Sequence, residues 1–449
     1  MRLITTSVNK ELNTYKMAKL ILLLIMVASA VTVLVACSPA SSDAGDKPDP
    51  GEATIPTPEP TPQLPSPPDE PPPVTPAPPS GDDDPEPTLA PVPAPAVIMP
   101  LDEEITVFEF TKSMGAGWNL GNTLDAVLGP TTTASVTIQE TSWGNPLTTR
   151  DMVELLHNSG FNTLRIPITW ERFIGPPPDY IINPSMINRV QEITDWAFEF
   201  DMYVIINTHH ESWNFPSAEN TAAVRILTAL WHQVASHFAG YSEKLIFENM
   251  NEPRMFGTGY EWSGGTEEAR SVINGWNFVF INTVRATGYN NEKRFLLIPT
   301  HAASADPAPI NDMWTPRNDN RVIVSVHAYT PYDIVLNTRS TRNTFDPNNP
   351  NDTRDIDALF DRLNTRFISQ GIAVVMGETG MLNKEENHED RARWADYYTS
   401  AAASLGIPCI WWDNGIRFTT SNEAFGLMHR QAPDWHHPEI VEAFVKNQG

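Results

Sequence analysis

The chain has 449 residues, too many for one small domain and enough for one large barrel with additional segments. Its 55 Asp and Glu residues outweigh its 30 Lys and Arg residues, for a formal net charge of −25, which argues against a nucleic-acid partner because such a partner needs a basic surface. With only Cys37 and Cys409, the chain cannot build a disulfide framework or a cysteine-based metal site.

The first predicted element, in chain order, is an export signal over residues 1–37. Two lysines precede the apolar run 20–36, as in a secretory signal. The run is nearly long enough to span a membrane, so a permanent anchor helix is the alternative. The motif LVAC at 34–37 resembles the bacterial lipobox, whose cysteine is lipidated and becomes the mature N-terminus. We therefore expect a lipid on Cys37 to attach the protein to a membrane, at the cell surface or in the extracellular space.

The second predicted element is a linker over residues 38–102. Residues 38–100 hold 22 of the 41 prolines, together with 11 acidic residues and one lysine. Proline removes backbone donors and fixes φ, and there is too little apolar surface here to offset the entropy of ordering. The composition favours an extended, disordered tether that holds the rest of the chain away from the cell surface.

The remaining residues, 103–449, alternate short apolar runs with amphipathic stretches. The predicted strands are Gly115–Leu120, Thr163–Ile168, Tyr203–Asn207, Leu245–Met250, Arg294–Pro299, Val322–His327, Ala373–Gly377 and Pro408–Trp412. The predicted helices cover residues 149–158, 185–200, 221–238, 267–286, 355–369, 389–404 and 438–447, and Thr149 and Ser185 are typical helix N-caps. Continuous apolar runs indicate strands covered on both faces, as in a parallel sheet.

Eight strands that alternate with helices predict an α/β fold, a (β/α)8 TIM barrel. An open doubly wound sheet is the alternative, and it predicts a glycine-rich phosphate turn after the first strand. The sequence Gly115-Ala116-Gly117-Trp118 matches such a turn poorly. In a barrel the functional groups gather at the carboxyl ends of the strands.

Polar residues do collect at the ends of the predicted strands. They include Arg165 in strand two, His209 after strand three, Asn251 and Glu252 after strand four, His327 and Tyr329 after strand six, Glu378 after strand seven and Trp412 in strand eight. Charged groups directly after apolar strands are costly unless they are paired, and a single case is often a structural ion pair. Several groups on one rim indicate a functional cluster.

Glu252 and Glu378 suggest the chemistry of that cluster. Glycoside hydrolysis needs one carboxyl group that protonates the leaving oxygen and one carboxylate on the other face of the sugar. A separation near 5 Å gives retention and a wider gap gives inversion, and the sequence does not measure this gap. We expect Arg165 to keep Glu378 ionised and burial to keep Glu252 protonated.

The motifs together resemble glycoside hydrolase family 5, the large cellulase family among the retaining barrel enzymes, over residues 107–445. The motifs are GWNLGNTLD at 117–125, NTLRIP at 162–167, INTHHE at 206–211, FENMNEP at 247–253, HAYTPYD at 327–333, GETG at 377–380 and WWDNG at 411–415. They are most similar to subfamily 4, which contains endoglucanases, xyloglucanases and mixed-linkage glucanases.

The resemblance implies a role for each matching residue. Glu252 is then the acid/base, and Glu378 is the nucleophile. The supporting residues are Arg165, which orients the nucleophile, Asn251 on the 2-hydroxyl group of the sugar, Tyr329 as donor to the nucleophile, His327 near the acid/base, His209 in the same subsite and Trp412 under the sugar. Neighbours on a strand face opposite ways, so only one of Trp411 and Trp412 can face the sugar, and the resemblance favours Trp412. Asn119 and Asn122 are open between a ligand role and a structural one.

The leading prediction is an exported, monomeric, retaining endo-β-1,4-glucanase that acts on a β-glucan polysaccharide. A xyloglucan- or mixed-linkage-specific enzyme, an inactive glycan-binding lipoprotein and a structural lipoprotein are the alternatives. We expect no cofactor and no metal, because the adjacent pair His209 and His210 does not share one face and no third ligand is evident. Residues 255–265 and 331–355 are long enough to shape the cleft.

Overall fold

A computed structural model describes residues 85–418 and 423–449, and in them eight parallel strands close into a barrel in the order β1 to β8. The strands are β1 Gly117–Leu120, β2 Thr163–Ile166, β3 Tyr203–Asn207, β4 Leu245–Glu248, β5 Leu296–Ser304, β6 Val322–His327, β7 Val374–Thr379 and β8 Cys409–Asp413. Strand β1 pairs with both β2 and β8, which closes the sheet. The predicted TIM barrel is confirmed, and each predicted strand is present, β3 and β6 with the predicted bounds and the other six with shifted ends.

Helices follow the strands and cover the outside of the barrel. Those with eight or more residues are α1 Val107–Met114, α3 Arg150–Asn158, α4 Pro184–Glu199, α5 Thr221–His237, α6 Glu267–Ala286, α9 Pro350–Arg366, α10 His388–Ala403 and α11 Pro438–Val445. Shorter helices are α2 Val136–Thr141, α7 Pro307–Asn311 and α8 Tyr332–Val335. Short 3-10 turns lie at Glu171–Phe173, Tyr289–Glu292 and Ile368–Gln370, and a two-stranded sheet pairs β9 Met428–His429 with β10 Asp434–Trp435.

The N-cap predicted at Ser185 is wrong. Asn183 caps α4, since its side chain accepts a hydrogen bond from the backbone of Ser185, and Pro184 occupies the first helical position. Proline is favoured there because a backbone N–H at this position would have no partner within the helix, so its absence from proline costs no hydrogen bond. Thr149 does stand at the N-cap position of α3, but its side chain makes no capping hydrogen bond.

The interior of the barrel has two layers of different character. The lower layer is apolar and contains Ile205, Ile246, Leu297, Ile323, Val375 and Ile410. Helix α1 closes this end, where Phe110 stacks on Phe295 with ring centroids 3.6 Å apart. Because side chains alternate along a strand, the next inward positions lie two residues further on. They form the polar upper layer that carries the site.

Part of the segment predicted as linker contacts the barrel. The backbone N–H of Met99 donates to Gly240 O at 2.7 Å, and Arg321 donates to the carbonyl groups of Asp102 and Glu103. Among the described residues no helix has the length and apolar character to cross a membrane. The predicted export signal and Cys37 lie outside the described residues.

Candidate active site

Arg165 organises the polar upper layer. Its side chain on β2 is fully buried, and an isolated buried charge is costly unless it is paired and hydrogen-bonded. Four side chains satisfy it, namely Glu248 at 2.7 Å and Asn119, Asn251 and Glu378 at 2.8 Å each. Two carboxylates on one guanidinium raise the pKa of Arg165, although burial lowers it, so the cation is permanent.

Glu248 anchors this network from below. The carboxylate lies at the end of β4, is fully buried, and accepts hydrogen bonds from Ser325 Oγ at 2.7 Å and Asn207 Nδ2 at 3.1 Å. These partners come from β6 and β3. A saturated buried carboxylate of this kind fixes the direction in which Arg165 points.

Glu378 and Glu252 lie above Arg165 on opposite sides of the barrel mouth. Tyr329 donates its hydroxyl proton to Glu378 Oε2 at 3.2 Å, and Arg165 donates to Oε1. Nδ1 of His327 lies 2.9 Å from Glu252 Oε1 and 3.8 Å from Glu378 Oε2. One carboxylate oxygen of each glutamate and a ring nitrogen of His327 lie within 4.8 Å of one another. The sequence placed these groups on one rim, and the structure brings them together.

The pKa values of the two glutamates depart in opposite directions. Burial raises the pKa of Glu378 above its usual value, against the lowering by His327 and Arg165. Burial also raises that of Glu252, but the hydrogen bond with His327 and the charge of Arg254 lower it below its usual value. This order is the reverse of our expectation, because burial acts on both carboxyl groups whereas His327 contacts Glu252 more closely. Since each charge disfavours the other, the two carboxyl groups titrate as a pair.

The backbone that carries Glu252 is braced by β5. The N–H of Ala302 donates to Pro253 O at 2.8 Å, next to Glu252. Ala302 and Ala303 have φ values of 54° and 46°, an unfavourable conformation for residues with a Cβ. Backbone strain of this kind persists where surrounding contacts over-determine it, and it is common at functional sites.

The two glutamates face an open cleft of about 1400 Å³, larger than the roughly 300–1,000 Å³ of a drug-sized pocket. His209 and Trp412 form one wall, with ring centroids 5.8 Å apart and planes only 4° from parallel. Trp411 is buried in the core and donates to Phe425 O, so Trp412 is the tryptophan at the cleft. A Cβ at Gly121 would lie 2.9 Å from the indole, so glycine allows this close approach.

The two asparagines left open by the sequence differ in position. Asn119 is fully buried, and it donates to the carbonyl groups of Gly377 and Trp411 and accepts from Arg165. It therefore orients Arg165 and does not reach the cleft. Asn122 lines the cleft.

The structure adds a group that the sequence did not reveal beside the histidine pair. The carboxylate of Asp125 and one ring nitrogen each of His209 and His210 lie within 4.8 Å of one another. Both oxygens of Asp125 already accept backbone hydrogen bonds, from Asn122 and Thr123. Glu211, the next residue in the motif, turns away to accept from Trp170 N and Trp213 Nε1. Because both oxygens of Asp125 are engaged with the backbone of its own turn, this trio is a poor match to a metal centre.

Sequence reasoning missed Glu248, Asn207 and Ser325. Glu248 carried a usable signal, because an acidic residue inside a buried strand requires a cation, and Arg165 occupies a similar place in β2. Asn207 and Ser325 had no such signal, since their polar side chains are common in strands and loops alike. Arg254, which lies beside Glu252, and Trp262, which lines the cleft, follow the motif that contains Glu252 but were not singled out.

A parallel barrel with two close carboxylates at the ends of β4 and β7 has the architecture of a glycoside hydrolase. The family model for cellulases, glycosyl hydrolase family 5, matches residues 127–417. Endoglucanase B of Clostridium cellulovorans is 44% identical over 348 residues, which cover 77% of this chain and 77% of that protein.

Solved structures give the same result. A GH5-4 broad-specificity endoglucanase from Ruminococcus champanellensis with bound cellotriose is 40% identical, with a TM-score of 0.73 over 76% of this chain and 99% of that one. A GH5 xyloglucan-specific endo-β-1,4-glucanase from a metagenomic library, in complex with cellotriose, is 40% identical, with a TM-score of 0.71 over 76% of this chain and 98% of that one. The chain belongs to glycoside hydrolase family 5, and the predicted likeness to subfamily 4 is confirmed.

Proposed function

We propose that the protein is a retaining endo-β-1,4-glucanase in which Glu378 is the nucleophile and Glu252 is the acid/base. The observation that carries the proposal is the short distance between the two carboxylates, whose oxygens lie within 4.8 Å. Such a gap, near the roughly 5 Å of retaining enzymes, has no room for a water molecule between sugar and carboxylate.

In the first step an oxygen of Glu378 attacks the anomeric carbon while the glycosidic C–O bond breaks. Glu252 gives its proton to the departing oxygen. Arg165 and Tyr329 hold the attacking carboxylate by hydrogen bonds to separate oxygens. In the second step Glu252 takes a proton from water, the water oxygen bonds to the anomeric carbon, and the ester bond to Glu378 breaks.

Glu252 must be protonated for the first step, although its pKa is low in the free protein. A glucan in the cleft displaces water from Glu252 and thereby disfavours its charged form. The kcat/KM profile reports the free protein and the kcat profile reports the complex. We therefore expect the basic limb of the kcat profile to lie at higher pH than that of kcat/KM. Coincident limbs would contradict this explanation.

Covalent trapping tests the assignment of the nucleophile. The full-length protein is incubated with a fluorinated aryl cellobioside, whose glycosyl-enzyme turns over slowly, and is then digested for mass spectrometry. We expect the added mass on the peptide that contains Glu378. In a separate reaction on a β-glucan followed by NMR, we expect the first product to have the β configuration. An α-configured first product, or a label on another carboxylate, would contradict the proposal.

For the substrate we propose a class, the polymeric β-glucans. Both relatives with bound cellotriose are endoglucanases, and one of them is xyloglucan-specific. The wide, open cleft supports an endo-acting enzyme on polymeric β-glucan. Initial rates on carboxymethylcellulose, xyloglucan, barley glucan and mannan rank the substrates. A rate on mannan equal to those on the glucans would contradict a glucan-specific enzyme.

We also propose that the enzyme is exported as a monomeric lipoprotein attached through Cys37. The support is the lipobox-like motif at 34–37 and the proline-rich segment that follows it. In a bacterial host, Cys37→Ser is expected to move the protein from the membrane fraction to the soluble fraction. Retention of this variant in membranes would favour an uncleaved anchor helix.

A further inference from the structure

Trp262 is an exposed aromatic side chain at the edge of the cleft. It is 62% exposed, and it lies on residues 254–265, the Trp262 loop, which connects β4 to α6. Its indole lines the cleft. A large aromatic ring left in water on the wall of a binding cleft is typical of a platform for an apolar ligand face, such as that of a sugar ring.

The Trp262 loop is fixed at both ends, so the platform has a defined position. Arg254 Nε donates to Glu261 at 3.1 Å, and Arg270 donates to the carbonyl oxygens of Gly264 and Gly265 at 2.9 Å each. Gly265 has a φ of 67°, and a Cβ there would lie 2.5 Å from His301. The loop therefore rests closely on β5, and a side chain at Gly265 would lift it.

Arg254 connects this platform to the acid/base. The centre of its guanidinium lies 4.4 Å from the Trp262 ring, a cation–π contact. Its Nη1 atom lies 3.5 Å from Glu252 Oε2 and donates to the backbone oxygen of Glu252 at 3.0 Å. A single side chain thus contacts both the carboxylate of Glu252 and one face of the exposed aromatic ring.

The position of Glu252 decides which part of the substrate reaches Trp262. The acid/base protonates the leaving oxygen, so the sugar beyond that oxygen lies on the side of Glu252 away from the reacting ring. Trp412 lies on β8, which is across the eight-stranded barrel from β4, and the ring of His209 stacks on it. The Trp262 loop follows β4, on the leaving-group side.

We propose that Trp262 binds the leaving-group sugar and that Arg254 is a positioning residue that couples this binding to Glu252. The proposal rests on the proposed function and names a subsite of the same cleft. Stacking of a sugar on Trp262 holds the indole in place, and the indole in turn holds the guanidinium of Arg254 through the cation–π contact. Arg254 in turn keeps a positive charge beside Glu252, which stabilises the carboxylate that forms when Glu252 gives up its proton.

Arg254 is one of several groups that surround Glu252. The others are His327 on β6, Glu378 on β7, His210 after β3, Tyr329 after β6 and Glu423 after β8. Among these groups, Arg254 contacts the Trp262 ring. Substitutions of Arg254 therefore test the link between Trp262 and Glu252 without altering the other groups around Glu252.

The test compares two substrates on the full-length protein. Cellopentaose places sugars on both sides of the scissile bond, whereas dinitrophenyl β-cellobioside has a small leaving group that departs without a proton. We expect Trp262→Ala to lower kcat/KM on cellopentaose by roughly tenfold, which corresponds to about 1.4 kcal/mol, and to spare the aryl substrate. Tyr289→Ala, at an exposed aromatic residue that does not line the cleft, is the control.

Two substitutions of Arg254 test the coupling. Arg254→Gln removes the charge and is expected to move the basic limb of the kcat/KM profile on cellopentaose to higher pH. Arg254→Lys keeps the charge without the flat guanidinium, and it is expected to leave that limb in place while lowering kcat/KM. A purely structural loop residue would lower the rate without moving the limb.

The outcomes separate the two proposals. Equal losses on both substrates for Trp262→Ala would place Trp262 outside the leaving-group side, and an unmoved limb in Arg254→Gln would remove the coupling. If the unchanged protein hydrolyses neither substrate, the glucanase function itself fails.

Discussion

The two layers inside the barrel differ in what a single substitution is expected to change. Along β4, Ile246 lies in the apolar lower layer, and Glu248, two residues further on, lies in the polar upper layer. The same step separates Ile323 from Ser325 on β6. The backbone geometry is continuous, so the side chains alone turn a packed core into a site. The lower layer supplies stability and the upper layer supplies chemistry.

Glu378→Ala is the substitution with the largest expected effect, a loss of activity. It removes the proposed nucleophile, so kcat on carboxymethylcellulose should fall by roughly a thousandfold or more. Binding of cellotetraose, measured by calorimetry, should persist, because the group acts at the reacting centre. Activity above a few per cent of the original would remove Glu378 from the role of nucleophile.

Arg165→Lys should lower both stability and activity, because Arg165 belongs to the upper layer and yet is fully buried. Lysine cannot reproduce the fork that reaches Glu248 and Glu378 together. We expect the free energy of unfolding, from guanidinium titration, to fall by about 3–5 kcal/mol, as for a broken buried ion pair. The rate should fall as well. An unchanged unfolding midpoint would show that the network adds no stability.

Ile246→Ala is the matched change in the lower layer. Ile246 is fully buried, and its truncation should lower the free energy of unfolding by about 2–5 kcal/mol through lost burial and a cavity. The kcat value of the folded enzyme should stay unchanged, since no upper-layer contact is lost. A large drop in kcat below the unfolding temperature would show that packing in the lower layer sets the geometry above it.

Glu211 gives the smallest expected effect and lies outside both layers. Burial raises the pKa of its carboxyl group from an ordinary value of 4.5 to about 8. Between about pH 4.5 and 8 the carboxyl group is protonated in the native state and ionised in the unfolded chain. The raised pKa therefore stabilises the native state fully below about pH 4.5, and this stabilisation is lost as the pH rises through about 8. Glu211→Gln should flatten the decline of Tm over this range. Parallel Tm curves would contradict the pKa shift.

The sequence was a good guide to elements and a weaker guide to charge. Periodic apolar residues predicted every barrel strand and seven of the eight longer helices, all except α1, since these patterns are local. The N-cap at Ser185 was misplaced because Pro184 also fits the first helical turn. The expected pKa order failed because it considered Arg165 and burial but not the contact between His327 and Glu252.

The sequence by itself determined the family and the alternating strands and helices, and it singled out Glu252 and Glu378 as the candidate pair, because short motifs carry that information. Tertiary structure decided that Trp412 faces the cleft, that Glu248 pairs with Arg165, and that Arg254 lies between Glu252 and Trp262. Arg165 meets Glu248 across 83 positions and Glu378 across 213. Contacts at such separations arise only when the barrel closes, since closure fixes which strand ends are neighbours.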